Sequence, residues 1–247
     1  MCHLVIDMGN TRTKIAVFKE RKLIFLDVVS EFTSNYLEQL FSAHSLSKTI
    51  VSSVKNREFE FEDLLKQKTR YIKFSTQLKT SVINQYKSIN TLGLDRLAAI
   101  IGAQTIFPDS NCLVIDAGTC ITYDAISSDH VYSGGSISLG LNMRFKALNT
   151  FTGKLPLIDP DESFNDWKGN DTRTAILSGV LNGIVFEMSG FINKYITHYQ
   201  NLKIILCGGD ANFFGTRLKN SIFVHTLKIE PQLVLIGLNE VIYQQND

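Results

Sequence analysis

The chain has 247 residues, 44% of them hydrophobic and 20% charged, and a formal net charge of +1. That balance excludes a disordered chain, and the lack of clustered Lys and Arg argues against a nucleic-acid partner. The expectation is that no apolar run spans a bilayer and that no basic-then-apolar leader is present. With cysteines only at 2, 112, 120 and 207, in no metal-ligand spacing, the expectation is a cytoplasmic protein with free thiols and no membrane partner.

The apolar runs near 3–7, 13–18 and 22–29 read as strands. A helix is expected over 33–42, a strand over 48–54, a helix near 57–67 and a short strand near 70–74. GLDRLAAIIGAQTIF (93–107) has its apolar residues at helical spacing. The breaker cluster Pro108-Asp109-Ser110-Asn111 then marks the expected boundary between a domain of residues 1–108 and one of 109–247. The second half restarts with strands at 112–116 and 120–127 and a short one at 130–133. GGSISLGLNMRFKALN (134–149) reads as a flexible loop that ends as a helix. The stretch 152–171 is polar and irregular, and its Trp167 either covers a site or anchors the loop. A helix is expected over 171–199, with a break at a glycine; 203–214 reads as strand, glycine turn and helix start, and 227–244 as strand then helix. Strands preceding helices in both halves indicate an α/β fold. Short turns between the first strands of each half make those pairs antiparallel and the sheets mixed.

The most informative pattern is an internal echo: LVIDMGNTRTKIAV (4–17) returns as LVIDAGTCITYDAI (113–126), at a constant offset of 109 residues that aligns Thr13 with Thr122. Two copies at the start of two similar halves argue for a duplicated unit. A strand, not a helix, follows each glycine turn, and neither G-x-G-x-x-G nor G-x-x-x-x-G-K-[ST] occurs, so a simple dinucleotide fold and a P-loop are both disfavoured. The strand ends DMGNT (7–11), DAGT (116–119) and GGD (208–210) carry hydroxyls, carboxylates and exposed backbone N–H groups. Such turns can grip a polyphosphate. Asp7 or Asp116 could hold a cation, since Mg²⁺ is commonly bound by one or two carboxylates plus substrate phosphates. Lys14 could offset phosphate charge, and Gly208-Gly209 would let a flat base approach the backbone. GLDR (93–96) offers a proton acceptor in Asp95, favoured as an anion at a helix start, and a bidentate donor in Arg96. The plain alternative is a helix cap beside a surface arginine. No His pair or G-x-S-x-G setting supports metal or triad hydrolysis.

These motifs resemble, in order and spacing, the type III pantothenate kinase family within the acetate/sugar kinase, Hsp70 and actin superfamily. The resemblance runs over nearly the whole chain and rests on DMGNTRTK (7–14), SSV (52–54), NQY (84–86), GLDR (93–96), DAGT (116–119) with Thr122, GGSISLG (134–140), NDT (170–172) with Gly179, and GGD (208–210). It implies two ribonuclease-H-like domains, as in actin-like ATPases, with the active site in the cleft between them. It further implies ATP-dependent phosphorylation of pantothenate to 4'-phosphopantothenate, the first committed step toward coenzyme A. By the resemblance, Asp7, Met8, Gly9, Asn10, Thr11, Arg12, Thr13 and Lys14 form the first phosphate loop, with Asp7 near Mg²⁺. Gly118, Thr119, Gly208 and Gly209 contact the nucleotide, and Asp116 holds a monovalent cation, potassium or ammonium. Tyr86, Gly93, Leu94, Asp95 and Arg96 bind pantothenate, with Asp95 as the catalytic base. Thr172 completes the substrate site across a homodimer interface.

Two positions depart from the family pattern. Leu139 stands where a proline is usual, which loosens the loop more than it alters chemistry, and Cys120 replaces a common alanine. Another small-molecule kinase of the same superfamily, or a non-catalytic actin-like protein, remains the alternative reading. The GLDR segment with its upstream NQY weighs against both.

Overall fold

The computed structural model describes residues 1–9, 12–53, 61–219 and 227–245. Two compact units form: Met1–Ile106 together with Leu233–Asp247, and Phe107–Gln232. The first contains β1 (Cys2–Met8), β2 (Thr13–Lys19), β3 (Lys22–Val29), α1 (Ser34–Ala43), β4 (Leu46–Ser53), α2 (Glu62–Lys68), β5 (Arg70–Lys73), the two-residue β6 (Ile83–Asn84) and α3 (Leu94–Ile106). Its sheet runs β3-β2-β1-β4-β5. β1, β2 and β3 are antiparallel neighbours, while β4 and β5 continue parallel to β1. Leu4, Val5 and Ile6 are all fully buried, as an unbroken apolar run in a central strand should be when both faces are covered. Leu4, Ile6, Ile15 and Val17 pack against Leu37 and Leu40 of α1 and Leu65 of α2. The Thr33 hydroxyl caps α1 by accepting the Tyr36 N–H at 3.3 Å.

The second unit contains β7 (Cys112–Ala117), β8 (Cys120–Ile126), β9 (Val131–Leu139), α4 (Leu141–Thr150), α5 (Thr172–Ile196), β10 (Lys203–Cys207), α6 (Ala211–Lys219) and β11 (Leu227–Ile229). Its strands follow the order β11-β10-β7-β8-β9, with β7, β8 and β9 antiparallel and β10 and β11 parallel to β7. Numbered within each unit, both sheets therefore read third, second, first, fourth, fifth strand. The sequence echo is a repeat of topology.

The echo is not a repeat of register. Thr13 lies opposite Met8, but Thr122 lies opposite Asp116, so the second hairpin closes one residue tighter. A slip of one residue turns a strand's side chains to the other face. Aligning Thr13 with Thr122 thus equates residues that hold different places in their sheets.

Three expectations need correction. First, the last helix, α7 (Leu233–Gln244), belongs to the first unit, and the first segment of that unit ends at Ile106, not 108. α7 packs on α3 through glycines: a Cβ on Gly237 would stand 1.8 Å from the Ala98 carbonyl oxygen, and one on Gly102 would stand 2.4 Å from that of Leu233. The two backbones touch where any side chain would hold them apart. His3 and Asn239 (3.0 Å) and the Arg21–Glu240 ion pair (2.9 Å) add polar ties between this helix and the sheet. Second, β9 runs on through Gly134 and Gly135 to Leu139 where a flexible loop was expected. A Cβ at Gly135 would meet the Tyr123 carbonyl at 1.8 Å, so glycine there permits close pairing rather than a loop. Third, α5 is an unbroken helix of 25 residues, long and apolar enough to cross a bilayer. One side of it, including Leu177, Leu181, Ile184 and Met188, is core of the second unit. It starts with a capping box in which Asp171 and Thr174 satisfy each other's backbone N–H groups.

Candidate active site

Asp7 lies near the end of β1, between Lys14 on β2 and Ser52 on β4. Burial pushes its carboxyl up to about 6; the Lys14 charge opposes this, Asp95 adds to it, and a hydrogen bond with Ser52 opposes it. Burial outweighs both stabilising partners. The effect of Asp95 also means that the two carboxylates feel each other. After β1 the chain turns with the Gly9 N–H on the Arg12 carbonyl at 3.1 Å. Met8 and Gly9 are partly covered, Arg12 is exposed, Thr13 is buried and Lys14 is half-buried. Asn10 and Thr11 lie outside the described residues.

Asp95 is exposed in the first turn of α3, and its Oδ1 accepts the Arg96 N–H at 2.8 Å. Gly93 leaves room for this: a Cβ there would lie 2.5 Å from the same oxygen. Leu94 is half-buried. Arg96 is only 6% exposed, and its guanidinium lies 5.4 Å from the centre of the Tyr86 ring. The plain reading of a surface arginine therefore fails. A covered cation beside an open carboxylate is a costly pairing that a recognition site explains better than stability does.

In the second unit, Asp116 lies one residue before the end of β7, opposite Thr122 and beside Cys207. Gly208 has φ of +92° and faces it; a Cβ there would come within 2.3 Å of both the Asp116 Oδ1 and the Ala117 carbonyl. A Cβ on Gly118 would lie 3.9 Å from the Asp116 Oδ1, an ordinary contact. The Asp210 N–H closes the turn on the Ala117 carbonyl at 2.9 Å. Gly140 packs so tightly under the loop that a Cβ would strike the Gly118 carbonyl at 2.1 Å. Thr119 and Gly209 stay exposed. The result is a bare backbone cradle around one carboxylate. Among the described residues no three His, Cys, Asp or Glu converge as a metal cluster. A cation here would need ligands from the substrate, as phosphate-bound Mg²⁺ does.

Thr172 is the exposed first residue of α5. It borders an apolar cavity of about 790 Å³ with Leu139, Leu148, Leu155 and Ile176, floored by the Arg144–Glu187 ion pair. Trp167 is 77% exposed; its carbonyl accepts the Ser178 hydroxyl at 2.9 Å, so its backbone anchors the loop to α5 while the ring stands out. Three residues carry weight that the sequence reading did not assign: Ser52, Gly140 and Asp210, whose carboxyl is raised by burial and by nearby Glu162. All three fall in motifs already visible, SSV, GGSISLG and GGD, but nothing in their letters says which member touches the acid or the loop.

Residues 3–194 match the model of a family described as type III pantothenate kinase. The chain is 40% identical over 244 residues to the type III pantothenate kinase of Christiangramia forsetii, covering 97% of each. It is 39% identical over 245 residues to that of Bacteroides fragilis strain YCH46, covering 99% of this chain and 98% of the other. Among solved structures, a glucokinase from an Antarctic psychrotroph is similar at a TM-score of 0.54 and 12% identity, covering 99% of both chains. The activator of 2-hydroxyisocaproyl-CoA dehydratase from Clostridium difficile, solved with bound ADPNP, is similar at 0.55 and 13% identity, covering 99% of this chain and 97% of the other. At such identities the structures speak for the fold alone, that of the actin-like ATPases and sugar kinases.

Proposed function

This chain belongs to the type III pantothenate kinase family, and on that footing we propose which of its residues carry the transfer of a phosphoryl group from ATP to pantothenate. The reaction gives 4'-phosphopantothenate and ADP and opens coenzyme A synthesis. Asp95 serves as general base, taking the proton of the primary hydroxyl as its oxygen attacks the γ-phosphorus. Its exposure, beside a covered Arg96, is the observation that carries this reading. Arg96 binds the pantothenate carboxylate, with Tyr86, Gly93 and Leu94 lining the acceptor. Met8 to Lys14, with Gly118, Thr119, Gly208 and Gly209, hold the nucleotide. Lys14 and turn N–H groups offset charge on the transferring phosphoryl.

The residues fit the cations the reaction needs. Asp7, its carboxyl raised by burial, would hold Mg²⁺ together with substrate phosphates; the ion would neutralise charge on the triphosphate. Asp116 in its glycine cradle suits a monovalent cation, potassium or ammonium. The enzyme works as a homodimer in which Thr172 reaches the partner's substrate. Support comes from α5, whose Ala175, Gly179, Phe186 and Gly190 form an exposed stripe at helical spacing. Such apolar exposure marks interaction surfaces. The cytoplasm, with its ATP and reducing poise, suits four cysteines that form no disulfide. Neither nucleic acid nor a membrane is a partner in this reading.

The test is ADP release with MgATP and a panel of acceptors, with potassium or sodium as the monovalent salt. Turnover with pantothenate alone, faster in potassium, supports the assignment. Turnover with hexoses, or none with any acceptor, overturns it.

A further inference from the structure

We propose that Asn84 is a positioning residue for the pantothenate site, setting the Tyr86 ring that supports the Arg96 guanidinium. The Asn84 Oδ1 accepts the Tyr86 N–H at 3.0 Å. This two-residue side-chain turn fixes the backbone at Tyr86. The Tyr86 ring then lies 5.4 Å from the Arg96 guanidinium, within cation–π reach. Arg96 is buried, so a displaced ring would leave a covered charge with less support. Arg96 follows Asp95 directly, and the Asp95 carboxylate is bound to the Arg96 N–H. The link from Asn84 therefore ends at the two residues assigned to the acceptor.

The other half of the amide sharpens the point. Asn84 Nδ2 is buried and, among the described residues, has no hydrogen-bond partner. The Tyr86 N–H demands an acceptor, so the carboxamide cannot rotate to relieve its orphaned donor without orphaning the backbone instead. What the side chain contributes comes through its oxygen. An aspartate would keep that oxygen and drop the donor; an alanine would lose both.

The inference rests on the reading of Arg96 as a pantothenate contact, and the experiment separates the two. Steady-state kinetics would compare Asn84→Ala, Asn84→Asp and Arg96→Met, each checked by thermal unfolding. Asn84→Ala should raise KM for pantothenate about five- to tenfold, with kcat within about twofold and KM for ATP unchanged. Asn84→Asp should recover most of that loss. The proposal is overturned if Asn84→Ala keeps the wild-type KM while Arg96→Met raises it, or if Asn84→Asp is as impaired as the alanine. A KM for pantothenate unmoved in Arg96→Met overturns the underlying reading instead. An Asn84→Ala defect spread equally over kcat and both KM values would mark a merely structural role, and would also end the proposal.

Discussion

The Asp7 carboxyl has Lys14 and Ser52 beside it and still titrates at about 6 against an ordinary 3.8, because burial outweighs both. A pKa raised in the folded state means that the native protein holds a proton the unfolded chain has released. The stability that comes from the neutral form is complete below about pH 4 and is lost as pH rises through 6. Asp7→Asn mimics the neutral form at every pH. It should be more stable than wild type by about 1–3 kcal/mol at pH 8 and equal to it at pH 4, with phosphoryl transfer lost. Urea unfolding at the two pH values reads this directly. An Asp7→Asn protein less stable than wild type at pH 8 would mean that Lys14 and Ser52, not burial, govern the site. At this scale the sequence shows which residue types are present and not their environment. DMG and GLDR announced their acids, but only packing could reveal that Asp7 is half-buried, Asp95 open and Arg96 buried.

Helices and strands were legible where apolar periodicity drove them and obscure where glycine did. β1, β2 and α3 stand close to their expected positions because their buried residues follow strand or helix spacing. The extension of β9 and the continuity of α5 were hidden for one reason: a glycine in the sequence reads as a break, whichever task it performs. The seat of α7 was hidden because chain order places it after the second half. Gly135 admits a neighbouring strand and Gly237 a neighbouring helix, while Gly179, Gly183 and Gly190 meet nothing within 4 Å. The helix–helix contact makes a quantitative claim. Gly237→Ala sets a methyl group 1.8 Å from the Ala98 carbonyl oxygen and should cost about 1–3 kcal/mol by forcing α3 and α7 apart. Gly153→Ala, at a glycine with open space around it, should stay within about 0.5 kcal/mol of wild type. Thermal unfolding of the pair tests the packing; equal midpoints would contradict it.

At the scale of the whole molecule, one topology is used twice and the two copies have diverged by a single residue of hairpin register. The first copy carries Asp7, Asp95 and Arg96 and the second Asp116 beside Gly208, so the proposal assigns each unit part of the machinery. The duplication was visible in the sequence because its strand-end acids recur; the slip was not, because the letters align at a constant offset. The proposed dimer belongs to the same scale. Phe186 is 69% exposed in the apolar stripe of α5, and Phe186→Glu should convert a dimer to monomer in sedimentation while raising KM for pantothenate through the loss of Thr172. A wild-type monomer with full activity would refute that arrangement. The central claim, that Asp95 takes the proton from the pantothenate hydroxyl, is tested most directly by single-turnover phosphoryl transfer in Asp95→Asn with ATP and pantothenate saturating. A rate lowered by about 10²–10⁴-fold, with nucleotide binding close to wild type, is the predicted result. Transfer at the wild-type rate would contradict it.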